Sequence, residues 1–286
     1  MMPANGDGSD EEARMTEEAK RISPKLSATK DAPNANSKIG RVIAVVSGKG
    51  GVGKSTVASM LACALKRQGK RVGIMDADVT GPSIPKAFGI TERLYGDADG
   101  NIIPPVTSSG IPVISTNLML DRPGQAVAWR GPVLNGVLKQ FFGQTNWGEL
   151  DYLVVDMPPG TSDVALTVFQ SMPVDGIVVV TSPQDLVEMI VDKAIDLANG
   201  MHVPVLGIVE NMALFQCPDC GSTHYIFGEP KGAALAQARG IPAYAMLPIN
   251  PAFTALADAG RVEECGCDNV LAPILEQITS IEYDFE

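Results

Sequence analysis

The sequence predicts an α/β protein built on a doubly wound, mostly parallel sheet flanked by helices. Three observations carry that expectation. Short, continuous apolar runs rich in β-branched residues recur through the chain. They alternate with longer stretches of helical pattern, as a parallel sheet with crossover helices requires. The runs do not alternate apolar with polar, so both faces of the sheet are expected to be covered.

In chain order, Arg41–Ser47 reads as a strand, Lys54–Gln68 as a helix and Arg71–Asp76 as a second strand. Tyr152–Asp156, Gly176–Thr181 and Val205–Glu210 read as further strands, with Asp163–Gln170 and Asp185–Asn199 as intervening helices. Residues 1–38 are poor in large apolar side chains and are expected to form a disordered tail, because such a segment cannot offset the entropy of ordering. Residues 39–286 are then expected to form one domain.

Composition narrows the function. With 22 Lys+Arg against 33 Asp+Glu, the 286-residue chain carries a net charge of 22 − 33 = −11. That charge disfavours non-specific nucleic-acid binding, which rests on neutralising phosphates. No stretch approaches the ~18 apolar residues of a membrane span, and the start has no apolar leader. A soluble, cytoplasmic protein without a membrane partner is expected. The five cysteines, an odd number in a chain this long, fit metal binding or thiol chemistry better than a disulfide framework.

Gly48-Lys49-Gly50-Gly51-Val52-Gly53-Lys54-Ser55-Thr56 follows the first strand and opens the first helix. It matches the phosphate-binding pattern Gly-x-x-x-x-Gly-Lys-Ser/Thr. Its glycines let successive N–H groups turn inward toward phosphate oxygens, and the helix behind adds its positive end. Lys54 is placed to reach the β/γ-phosphates and Ser55 to ligate Mg²⁺. Two acids, Asp76 and Asp78, lie beyond the carboxyl end of the second strand, where ligands of such sheets bind. Asp156 ends an apolar strand of Walker B shape and is expected to hold Mg²⁺. The Met157-Pro158-Pro159-Gly160-Thr161 turn follows it, and Asp163 reads as a helix cap.

Cys217-Pro218-Asp219-Cys220-Gly221 is the second strong signal, since two thiolates two residues apart can grip one metal ion or cluster. Zinc and iron–sulfur chemistry both fit, and both need four ligands. A two-fold dimer would supply them as two pairs, whereas completion within one chain would draw on Cys265, Cys267 or His224. Cys63 reads as core and His202 as a loop residue.

Together these segments resemble the Mrp/ApbC family of P-loop ATPases, the iron–sulfur cluster carriers, within the MinD/ParA/nitrogenase iron protein class. The matching stretches are Gly48–Thr56, Asp76–Pro85, Trp129–Pro132, Asp151–Asp163 and Asn211–Gly221. The resemblance implies slow ATP hydrolysis. In it Lys49 reaches across a homodimer to the partner's nucleotide, Asp78 orients the attacking water, Asp76 lies near the metal and Asn211 contacts the base. It further implies a labile [4Fe–4S] cluster between two Cys217/Cys220 pairs, delivered to apo iron–sulfur proteins. The rival reading is a zinc-stapled MinD- or ParA-like positioning ATPase. Against it, residues 258–286 hold eight acids and one Arg, where membrane- or DNA-using relatives need positive charge.

Overall fold

The computed structural model describes residues 30–79, 81–120, 131–160, 163–183, 187–266 and 268–281. The expected tail up to residue 29, Trp129, Arg130, Thr161, Asp185 and Cys267 lie outside the described residues, as does the side chain of Asp163.

The chain enters the sheet as β1 (Lys38–Ser47), then turns through the glycine-rich loop into α1 (Lys54–Arg67). Gly69, at φ 81°, ends that helix, and Lys66 and Arg67 in its last turn complement its dipole. β2 (Val72–Asp76), the single-turn α2 (Ile84–Ala87), a small β3–β4 ribbon (Tyr95–Gly96 with Ile102–Ile103) and the three-residue β5 (Val113–Ser115) follow. Next come α3 (Gly131–Gly143), β6 (Glu149–Asp156), α4 (Asp163–Ser171), β7 (Val174–Thr181), α5 (Val187–Gly200) and β8 (Val205–Gln216). The last part holds β9 (Thr223–His224), α6 (Gly232–Arg239), β10 (Tyr244–Pro248), α7 (Pro251–Asp258) and α8 (Asp268–Thr279).

The main sheet runs β10-β8-β7-β1-β6-β2-β5 with every pair along that path parallel. Alternate residues of each strand enter opposite cores. Ile43 and Val45 join Leu61, Leu65, Phe253 and Ile274 beneath α1, α7 and α8. Val42, Ala44 and Val46 join Phe141, Phe169, Val191 and Leu235 beneath α3 to α6. The expected fold class holds, and each of the five expected strands is present.

Two boundaries moved. The expected tail reaches residue 38, yet Asn34 and Ser37 are buried and bonded: Ser37 Oγ donates to Thr145 O at 3.1 Å, and Asn34 Nδ2 donates to Asn101 Oδ1 at 2.6 Å. β8 runs six residues past the expected Glu210, because its outer end finds a partner in antiparallel β9, with Phe215 opposite His224. The acids of residues 258–268 also have work within the fold. Asp258 pairs Lys86 at 3.0 Å, Asp268 pairs Arg67, and Glu263 accepts from Thr107, Ser108 and Ser109.

Candidate nucleotide site and paired thiols

The carboxyl ends of β1, β2 and β6 converge on the glycine-rich loop. In register, Val45 faces Asp156 and Asp76 faces Asp156. Gly51 and Gly53 both adopt φ 83°, a conformation that costs other L-residues roughly 1–2 kcal/mol. Gly53 is also the residue before the first turn of α1, with no side-chain cap, which leaves that helix end open to an anion.

Lys54 is buried and ties the acids together. Its Nζ donates to Asp156 Oδ1 at 2.6 Å and lies 3.4 Å from Asp78 Oδ2. Burial pushes the Asp156 carboxyl up from its ordinary value, while Lys54 and the Ser55 hydroxyl pull it down. Asp156 Oδ2 is buried with no hydrogen-bond partner, so one oxygen remains for an ion or an ion-bound water. Asp76 differs. Its Oδ1 accepts from the Asp78 N–H at 3.1 Å, and its Oδ2 accepts from Ser115 Oγ at 3.1 Å and the Ile84 N–H at 3.4 Å. Burial foremost, and then Asp156, raise the Asp76 pKa. Where the resemblance implies a residue near the metal, both oxygens of Asp76 are engaged by the protein.

Gly160, at φ 77°, brings the Pro-Pro turn onto the loop: its N–H donates to Ser47 O at 2.7 Å. Lys49 is half-buried, and its carbonyl accepts from Ser47 Oγ at 3.0 Å.

Asn211 lies on β8 rather than after it. Its Nδ2 donates to Val52 O at 2.9 Å, clasping the loop from the side. It lines a cavity of about 290 Å³ with Gly51, Thr56, Met212, Pro248 and Asn250. Asn211, which the resemblance implies contacts the base, here holds the loop through its side-chain amide. A Cβ on Gly53 would overlap the Asn211 amide nitrogen. Gly53→Ala is therefore expected to break the clasp and lower ADP affinity by about tenfold or more, the equivalent of ~1.4 kcal/mol. Isothermal titration of the variant checks this, and unchanged affinity would refute it.

Sequence reasoning missed Ser115, Asn250 and Glu210. Ser115 sits on a strand too short to read. Asn250 caps α7, accepting from Ala252 N and Phe253 N. Glu210 is fully buried; its carboxylate accepts from Lys231 N at 3.2 Å, Gly232 N at 2.9 Å and the Tyr244 hydroxyl at 2.7 Å. Its position before Asn211 at the end of an apolar run was the available signal.

Met212 takes φ 56°, but β8 stays on the body through the fully buried Ala213 and through Leu214, which pairs with Pro248 of β10; the cysteine-bearing arm begins beyond them. Gly221 N donates to Cys217 O and Cys217 N to Ser222 O, both at 2.9 Å, closing a tight knuckle with Gly221 at φ 70°. Cys217 is half-buried and Cys220 exposed. The Cys220 thiol donates to Ser222 Oγ at 3.2 Å. Ser222 foremost, and then Cys217, hold the Cys220 pKa below the ordinary thiol value, which favours the ligand form. Among the described residues, no three His, Cys, Asp or Glu side chains gather as a metal site. His224 is exposed on β9, and Cys265 is buried in the core that holds Cys63. Burial pushes the Cys63 thiol up to about 12, as befits an inert core cysteine.

Glycine-rich loop, buried lysine and flanking acids on a parallel sheet define a P-loop nucleoside triphosphatase. The chain belongs to the ParA-type family described as NUBPL iron-transfer P-loop NTPases, whose model matches residues 38–281. It is 46% identical over 244 residues to the iron-sulfur cluster carrier protein of Clostridium perfringens, covering 83% of this chain and 86% of that one. A nucleotide-binding protein from Archaeoglobus fulgidus, solved in complex with ADP, superposes with a TM-score of 0.72 at 45% identity over 79% of this chain and 88% of its own. The cell division ATPase MinD of Pyrococcus furiosus shares the fold, with a TM-score of 0.59 at 20% identity over 85% of this chain and 100% of its own. No described helix is long and apolar enough to cross a membrane.

Proposed function

We propose that this chain is an ATP-dependent carrier of iron–sulfur clusters that binds a [4Fe–4S] cluster through Cys217 and Cys220 and passes it to apo-proteins. One observation carries the reading. The thiol pair, half-buried at Cys217 and exposed at Cys220, follows directly on the same strand, β8, whose Asn211 clasps the phosphate loop. Nucleotide site and cargo site thus share one structural element.

At the nucleotide, the loop from Gly48 to Thr56 cradles the phosphates and Lys54 neutralises their charge. Ser55 and Asp156 are the residues that fit Mg²⁺, which would offset phosphate charge when bound. Asp78 orients the attacking water beside Lys54. Asp76 acts one step back, its carboxylate holding the Asp78 backbone, so it is a positioning group rather than a metal ligand. Lys49 serves a second copy's nucleotide. Two thiolates per chain make a cluster easy to surrender, because an acceptor's thiolates can compete for ligands that the carrier does not fully supply. Two copies would supply Cys₄.

Anaerobic reconstitution of the full chain with iron and sulfide tests the reading. The wild type is expected to gain visible absorption and about four irons per dimer, as a Cys₄ cluster demands. Cys217→Ser/Cys220→Ser is expected to stay colourless while binding ADP like the wild type. A colourless wild type carrying one zinc per dimer would favour the zinc-stapled regulatory ATPase instead.

A further inference from the structure

Up to Asn211, β8 alternates its side chains as a strand should. Ile208 enters the core beneath α3 to α6, and Val209 the core beneath α1, α7 and α8. Glu210 turns to Gly232 and Tyr244 on the first side, and Asn211 to the phosphate loop on the second. Met212 is then due on the first side again. Instead it lines the cavity of about 290 Å³ together with Asn211.

The backbone shows how. β8 and β10 run in step to Glu210, opposite Met246, and next pair at Leu214, opposite Pro248. Leu247 alone on β10 therefore faces three residues of β8, Asn211, Met212 and Ala213, which is a bulge of two extra residues. At its centre Met212 takes φ 56°. The other described non-glycine residue with positive φ, His202, lies in a turn, so Met212 is the one inside a strand. In a methionine such an angle persists only where the surroundings fix it. Both flanks do so here: Glu210 is held by three donors, and Leu214 O accepts from the Ile249 N–H at 2.7 Å.

Bulges beside ligand sites re-aim side chains. The pairing with β7 ends at Glu210, opposite Thr181, so Asn211 is the first residue of β8 beyond it. Asn211 is also the last residue before the left-handed turn. The direction of its amide, which reaches Val52 O at 2.9 Å, is thus set by the backbone at Met212.

We propose that Met212 is a positioning residue for nucleotide binding: its left-handed backbone aims Asn211, and Asn211 in turn holds the phosphate loop. Met212 acts through Asn211 and not through a contact of its own with the phosphates. The role is independent of what Cys217 and Cys220 carry.

Calorimetric titration of the full chain with ADP and Mg²⁺ tests this. A β-branched residue resists positive φ most, so Met212→Ile is expected to raise the dissociation constant about tenfold. Met212→Thr, smaller and also β-branched, is expected to act in the same direction and keeps the test open where the isoleucine variant fails to fold. Met212→Gly, which takes that φ freely, is expected to recover most of the loss. Asn211→Ala is expected to weaken binding about tenfold, and adding it to either β-branched variant to cost nothing more, because both changes break one clasp. A double variant weakened about a hundredfold would mean that Met212 acts independently of Asn211, and would overturn the proposal. So would β-branched variants that bind like the wild type, or a glycine variant as weak as they are, since the backbone angle would then not be what matters. Should Asn211→Ala itself bind ADP like the wild type, the clasp does nothing and the role of Met212 falls with it. The cluster-carrier reading stands or falls separately, on uptake of iron and sulfide.

Discussion

Replacing Lys54 by alanine is expected to slow ATP turnover by about 10³-fold or more, since a preorganised cation at the transferring phosphoryl group is lost. A second effect precedes any chemistry. The Lys54 and Asp156 side chains are 5% and 0% exposed, so removing the lysine leaves a carboxylate buried without its partner. Breaking such a pair typically costs about 3–5 kcal/mol. The deficit should depend on pH with a definite sign. Asp156 already has its folded-state pKa raised by burial, and losing Lys54 raises it further. A carboxyl with a raised folded-state pKa favours folding below its unfolded value and loses that contribution as pH rises through the folded one. Urea unfolding at pH 5 and pH 8 is therefore expected to show a smaller deficit at pH 5. Equal deficits at both would mean that Asp156 is not the group left stranded.

The second large effect is expected at Glu210, far from the phosphates in role though adjacent to Asn211 in sequence. Glu210→Ala leaves the buried Gly232 N–H, the Lys231 N–H and the Tyr244 hydroxyl without their acceptor. Donors stranded in this way make a loss of about 3 kcal/mol the expected outcome. Hydrogen exchange should speed first at Gly232–Arg239, the helix whose N-terminus this carboxylate holds. Glu210→Gln, which keeps one acceptor oxygen but presents an N–H₂ group to the remaining donors, should fall between the two. A melting temperature unchanged in the alanine variant would show that the clamp carries no stability.

Glu210 also illustrates what was and was not legible beforehand. Local signals read well: the phosphate loop, the apolar strands that end in Asp76 and Asp156, and the cysteine pair all announce themselves within a few residues. The family resemblance sharpened them into a function. What escaped depended on partners distant in sequence. β5 has three residues, too few for any pattern, yet it brings Ser115 to Asp76 across 39 positions. β10 ends in a proline and carries half-buried residues, so its place beside β8 follows from packing alone. α8 hides behind Pro273 inside the helix. The strand order could not be read either, because crossover connections leave no local mark. Asp76 looked like its neighbour Asp78; only the donors arriving from Ser115 and Ile84 separate their roles.

The arm that carries the cysteines leaves from β8 beyond Glu210 and returns at Lys231 and Gly232, which are bonded to that same side chain. The chain between is a loop already closed at its base. For a loop held shut, each doubling of length adds only about 0.6 kcal/mol of closure entropy. The residues from Cys217 to Glu229 can therefore be lengthened, shortened or exchanged with little effect on the body of the ATPase. In evolutionary terms this is a socket: the arm can be rewritten while the phosphate-binding loop beneath it stays the same.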